Sequence, residues 1–100
     1  MKTKKEKFDQ LDQTWSGNRD SMYKVLKPFH VRLIYQRLMN SKSFKELAIR
    51  YELNELSAKM LFDWCVKQIK ERVDREFAEL LTDCHAFIQA KEERVKIKVK

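Results

Sequence analysis

Basic side chains are concentrated between residues 24 and 50, where seven Lys and Arg residues accompany a single acidic one, Glu46. Seven positive charges and one negative give this stretch a net charge of +6, against +7 for the 100-residue chain. Such groups are suited to phosphate binding, because Lys presents a mobile point charge and Arg a planar fork of donors. The pattern therefore indicates attraction to a polyanion such as nucleic acid. The alternative is that Lys-rich helix faces and tails only keep a small protein in solution.

The remaining reactive side chains show no spacing typical of catalysis or metal binding. Cys84 and His85 are adjacent, so on a helix they point about 100° apart, and no third or fourth ligand lies at zinc spacing. We expect Cys84 to be buried and His85 to lie on the surface. With one Gly, the chain offers no glycine-rich phosphate loop and no strained nucleophile turn. We therefore expect neither enzymatic activity nor a cofactor.

Cysteine usage and hydropathy indicate a cytoplasmic protein. Cys65 and Cys84 are too far apart in the sequence to suggest a disulfide framework or a zinc ribbon. No stretch approaches the roughly 18 apolar residues of a membrane span. We expect a location in the cytoplasm, without membrane contact.

The composition favours an all-α fold. One Gly and one Pro leave little material for tight hairpins, while an apolar share of 43% is ample for a core. A chain of this length has room for one domain. We predict a helical domain of four to five helices with a helix-turn-helix over residues 8–90, between mobile basic tails at residues 1–7 and 91–100.

Helix boundaries follow from breakers and caps. A first amphipathic helix is predicted over about residues 5–15, and it ends in the stretch SGNRDS, which contains Gly17. Pro28 fits the first turn of a helix that reaches about residue 39. Ser43 and Glu46 form a capping box for a short helix up to Tyr51. Asn54 then caps a further helix.

Several residues around the stretch SFKELA follow a recognisable spacing: Leu26, Pro28, Leu33, Ile34, Arg37, Ser43–Ala48, Leu53, Ala58 and Leu61. In residue type and spacing, this pattern resembles region 4 of bacterial RNA polymerase sigma factors, a helix-turn-helix domain that reads promoter DNA. The resemblance covers about residues 26–72. It implies a role in bacterial or phage transcription, with double-stranded DNA and RNA polymerase as partners.

In helix-turn-helix proteins, the start of the second helix meets base edges while flanking Lys and Arg bind phosphates. The resemblance gives that role to the helix that begins at Glu55, with Glu55 to Lys59 in the major groove. The residues expected to bind DNA are Arg32, Arg37, Lys42, Lys45, Arg50, Glu55, Leu56, Ser57, Lys59 and Lys67. No Arg, Asn or Gln lies in the first two turns of this helix, so we expect modest sequence specificity.

The turn between the two helices departs from the family pattern at Glu52, where the family has Gly. A left-handed backbone at this position costs a residue other than Gly roughly 1 kcal/mol. The substitution leaves open whether the turn keeps the shape found in the family.

Leu56, Met60 and Trp64 form a second apolar stripe, at a spacing of four residues, on the helix expected to enter DNA. If the first helix covers this stripe, the DNA-binding face is blocked. If nothing covers it, the stripe is better explained as a protein-binding surface. The alternative function is therefore an interaction module that binds the transcription machinery, or another protein, without reading DNA.

A third apolar pattern repeats at intervals of four and three residues near the C-terminus and consists of Val73, Phe77, Leu80, Cys84 and Phe87. Such a seam is typical of paired helices. It predicts either packing within the domain or a homodimer. The sequence also leaves open whether residues 55–90 form one helix of about 54 Å or two that fold back on each other.

Overall fold

Five helices make up the part of the chain that the computed structural model describes, residues 3–98. They are α1 (Lys4–Val25), α2 (Pro28–Leu38), α3 (Phe44–Arg50), α4 (Glu55–Arg72) and α5 (Arg75–Lys98). The prediction of an all-α fold with four to five helices is confirmed. Residues 4–7 and 91–98, predicted as parts of basic tails outside the helical domain, are helical and belong to α1 and α5. Residues 1–2 and 99–100 of the predicted tails lie outside the described residues.

The first helix does not end at Gly17, contrary to the prediction from the stretch SGNRDS. It continues to Val25 because Leu11, Trp15 and Met22 all lie buried on one side of it. Their burial outweighs the cost of roughly 1 kcal/mol that Gly imposes within a helix. Further polar residues in the stretch adapt to the helix, as Asn18 does by donating to the Thr14 carbonyl at 2.9 Å.

The predicted caps of α2, α3 and α4 are confirmed. Pro28 is the first residue of α2. The Ser43 hydroxyl accepts from the Glu46 N–H at 3.1 Å, and the Glu46 carboxylate accepts in return from the Ser43 N–H. The Asn54 side chain accepts from the Ser57 N–H at 2.7 Å. These contacts are local in sequence, which is why they can be read from it.

The stretch from residue 55 onward forms two helices that fold back on each other. The chain turns at Val73 and Asp74, and the Asp74 carboxylate caps α5 by accepting from the Phe77 N–H at 2.9 Å. In α5, which runs back along α4, the centroid of the His85 ring lies 4.3 Å from that of the Phe62 ring in α4.

The C-terminal seam belongs mostly to the core of the single chain. Phe77, Leu80 and Cys84 are buried, while Val73 and Phe87 are half-buried. The helices that cover this side of α5 are α1 and α4, and Trp15 of α1 meets the Phe77 ring edge-on at 6.0 Å. A homodimer through the seam would therefore require these side chains to leave the core.

Replacing Gly17 with Ala is expected to raise the free energy of unfolding by about 0.5–1 kcal/mol, because Ala loses less backbone entropy in a helix. An added Cβ atom meets nothing within 4 Å at this position. Urea unfolding followed by circular dichroism measures the change. A loss of stability would contradict the continuous α1 helix.

Candidate functional site

The turn between α3 and α4 has the geometry of a helix end closed by a left-handed residue. Glu52 has a φ of 56°. The Leu53 N–H donates to the Ala48 carbonyl at 2.8 Å, and the Glu52 N–H donates to the Ile49 carbonyl at 3.4 Å. This pair of bonds is a Schellman motif, which normally places Gly at the left-handed position. Glu52 thus adopts the conformation that Gly would supply without strain.

The start of α4 stands free of the rest of the fold on one side. Glu55, Leu56 and Lys59 are exposed, and Ser57 is half-buried, while Ala58 on the opposite side is fully buried. Lys67 lies two turns further along the helix and is also exposed. Of the residues from Glu55 to Lys59, predicted to enter the major groove, all except Ala58 are therefore accessible.

Four of the five basic residues predicted to hold the DNA backbone before α4 are exposed. They are Arg32 on α2, Lys42 before α3, and Lys45 and Arg50 on α3. Lys42 makes a loose ion pair with Glu46, at 3.7 Å, between side chains that are both exposed. Such a surface pair contributes little and leaves Lys42 free to bind an anion.

Arg37 does not belong to this set, because its side chain is fully buried. Its guanidinium donates to both carboxylate oxygens of Glu92, at 2.7 and 2.8 Å, and to the Lys42 carbonyl at 3.0 Å. It also lies 4.0 Å from the centre of the Phe44 ring. The prediction that Arg37 binds DNA is wrong: its charge is used inside the molecule. The sequence contains a signal for this, since Arg37 shares a helix face with the buried Leu33 and Ile34.

The prediction of a surface His85 is also wrong. His85 is buried and its Nε2 atom accepts from Nε of Arg37 at 3.0 Å. Burial, together with the neighbouring Arg37 charge, lowers the pKa of His85 to about 4. The imidazole is therefore neutral at pH 7 and serves as the acceptor that Arg37 requires. Cys84 is buried as predicted, and burial raises the pKa of its thiol to about 11.

The apolar stripe on α4 is not covered by α1. Leu56 is 67% exposed, Met60 62% and Trp64 45%. Ile49 at the end of α3 and Leu53 in the turn before α4 are exposed as well. We call these five residues the apolar patch.

The first helix packs elsewhere, since Trp15 contacts the ring of Tyr35 at 5.1 Å and that of Phe77 at 6.0 Å. The ring closest to Trp64 is that of His30, at 5.5 Å. Coverage by the first helix, the arrangement that would block the face of α4, does not occur.

Replacing Glu52 with Gly is expected to stabilise the fold by about 0.5–1 kcal/mol, because Gly adopts the left-handed backbone without strain. The matched control, Glu52→Ala, removes the same charge but keeps the Cβ atom, and it should leave the free energy of unfolding nearly unchanged. Both values come from urea unfolding. Equal stabilisation by Gly and Ala would assign the effect to the charge.

The His85 imidazole makes stability depend on pH. Between pH 6.5, its ordinary pKa, and about 4, the unfolded chain binds a proton at His85 that the folded chain does not. The free energy of unfolding should therefore fall on acidification through this window, by up to about 3 kcal/mol. Urea unfolding at a series of pH values measures it.

The His85→Gln variant keeps an acceptor for Arg37 and should lose this part of the pH dependence. The control is His30→Gln, at a half-buried histidine whose pKa is also lowered, by partial burial and by nearby Lys27. The His30→Gln variant should remove much less of the pH dependence of stability. An unchanged pH profile in His85→Gln would contradict a neutral, buried His85.

The described residues also limit the kinds of site that the fold contains. Among residues 3–98, no helix has an apolar stretch of the length that crossing a bilayer requires. Nor does this part of the chain bring three His, Cys, Asp or Glu side chains together in an arrangement suited to a metal ion. The chain matches no protein-family model, no curated protein and no solved structure.

Proposed function

We propose that the protein binds double-stranded DNA through α3 and α4, as a helix-turn-helix protein of sigma region 4 type in bacterial or phage transcription. The observation that supports this most is the turn at Glu52. Its left-handed Schellman geometry, followed by the Asn54 cap, leaves the first turns of α4 exposed beside basic side chains.

Phosphate contacts supply most of the affinity in this proposal. Arg32, Lys42, Lys45 and Arg50 precede α4, and Lys59 and Lys67 lie along it, all of them exposed. Each phosphate neutralised adds about 0.9 to the salt dependence of binding on a logarithmic scale. Arg37 makes no contribution because its charge is paired inside the molecule.

Base contacts are few and weakly selective. In the major groove, Leu56 suits a thymine methyl group, while Ser57 bonds to bases of several kinds. Glu55 accepts from cytosine but repels phosphates. Residues 42–70 carry six Lys and Arg against four Asp and Glu, which gives a local charge of only +2. This modest charge favours weak binding that a partner such as RNA polymerase reinforces.

A second candidate function is protein binding, and the exposed apolar patch favours it. Contiguous exposed apolar side chains on a small domain often mark an interface. The partner in this case is RNA polymerase or another transcription protein that buries Met60 and Trp64.

Duplex DNA labelled with a fluorophore, titrated with the protein at low and moderate salt, tests the leading proposal. The Lys59→Ala, Lys67→Ala double variant should bind more weakly and should lower the logarithmic salt slope by about two. A matched control, Lys5→Ala with Lys24→Ala, removes two exposed charges from α1. It should change the affinity for DNA and the salt slope much less. No binding by the unmutated protein at low salt would exclude the DNA proposal, and equal losses in both variants would reduce it to non-specific attraction.

The protein-binding candidate is tested with labelled protein and purified bacterial RNA polymerase core enzyme. Met60→Ala with Trp64→Ala removes half-exposed or exposed apolar surface without removing a basic charge. Loss of polymerase binding with retained DNA binding would support the second candidate for this surface. Absence of polymerase binding by the unmutated protein would remove this partner.

A further inference from the structure

A cavity of about 480 Å³ is lined by residues of α1, α3, α4 and α5 and of the connection before α3. It opens between the start of α1, the connection from α2 to α3, the start of α4 and the last turns of α5. Its volume falls within the range of about 300–1,000 Å³ that small-molecule sites occupy.

Four apolar side chains form one part of the lining of this cavity, beside polar and charged ones. Phe44 and Ile88 are nearly buried there, Phe8 is half-buried, and Val95 is 53% exposed. These four side chains come from three different helices and face one space. An apolar molecular body placed among them would remove the exposed part of Val95 and Phe8 from water.

The mouth of the cavity is positively charged. Lys4, Lys59 and Lys91 line it and are exposed, while Arg37 lies at its floor, already paired with Glu92. Among the residues that the structure describes, the lining holds these four cations and the carboxylates of Glu55 and Glu92, a net charge of +2. An anionic group at the mouth is therefore favoured without breaking the internal Arg37 pair.

The larger groove between α4 and α5, of about 710 Å³, differs in charge. Its lining contains Lys67 and Lys70 but also Asp63, Glu71, Glu79 and Asp83, a net charge of −2. It disfavours anions, so of these two sites the smaller cavity is the one whose charge suits an anionic group.

We propose that the smaller cavity binds a small organic anion with an apolar body, of the medium-chain monocarboxylate class. The body lies among Phe8, Phe44, Ile88 and Val95, and the carboxylate pairs at the mouth with Lys59 and Lys91. Because Lys59 also lies on the face proposed to bind DNA, an occupied cavity neutralises one of the phosphate-binding charges.

Titration of the full chain with decanoate, followed by calorimetry and by NMR of the methyl groups, tests this proposal. One site per chain is expected, with shifts at Ile88 and Val95. Decanol has the apolar body without the charge, and phosphate has the charge without the apolar body. Each should therefore bind more weakly than decanoate, by about tenfold or more. Equal affinity for decanol and decanoate, or shifts confined to Met60 of the apolar patch, would overturn the proposal.

Two double variants with the same loss of charge complete the test. Lys59→Gln with Lys91→Gln should weaken decanoate binding about tenfold, since each exposed ion pair contributes a few-fold in affinity. Lys24→Gln with Lys70→Gln removes charges outside the cavity and should leave the affinity unchanged. Equal effects of the two variants would overturn the site. The titration contains no DNA, so its result is independent of whether the protein binds DNA.

Discussion

The buried guanidinium of Arg37 is the constraint on which the arrangement of the helices depends. It joins α2, which carries it, to α5, which supplies His85 and Glu92, and to the Lys42 carbonyl just before α3. A buried charge is tolerated only when its hydrogen bonds are made, and leaving one unpaired costs about 3–5 kcal/mol. Every element that contributes a partner is therefore held in register with α2.

The orientation of α3 follows from this constraint. Arg37 donates to the Lys42 carbonyl and stacks on the Phe44 ring. The segment that leads into α3 and the first residue of α3 are therefore both fixed to α2. Directly before Lys42, the chain passes through Ser41 in a left-handed conformation, with a φ of 53°. The position of α3 determines where the turn at Glu52 directs α4. A residue expected from the sequence to contact DNA thus acts instead by placing the residues that remain accessible to it.

What the sequence predicts correctly is local. The capping box of Ser43 and Glu46, the Asn54 cap and the first-turn position of Pro28 depend on residues a few positions apart, and the structure contains each of them. The errors all involve contacts between distant segments. Gly17 lies within α1 because Trp15 packs on α2 and α5. Residues 91–98 continue α5, in which Glu92 binds Arg37. Neither effect is visible in a window of neighbouring residues.

The same reasoning explains the mixed outcome for the site. Exposure of Lys45, Arg50 and Lys59 could be predicted because they lie opposite the apolar face of their own helices. Burial of His85 could not, because its partner Arg37 lies 48 residues away in the sequence. The fate of Leu56, Met60 and Trp64 depended on where α1 packs, which their own spacing does not specify.

Both proposed contacts of α4 use one surface. Leu56 belongs to the residues proposed for the major groove and also to the apolar patch, and Lys59 lies one turn from it along the same face. A duplex that admits the start of α4 buries Leu56, and a protein that covers the patch removes Leu56 and Met60 from any groove. In these proposals, DNA and a protein partner at the patch would therefore compete for the free protein. Simultaneous contact with both would require the partner to bind elsewhere, and the smaller cavity is lined by none of the residues of the apolar patch.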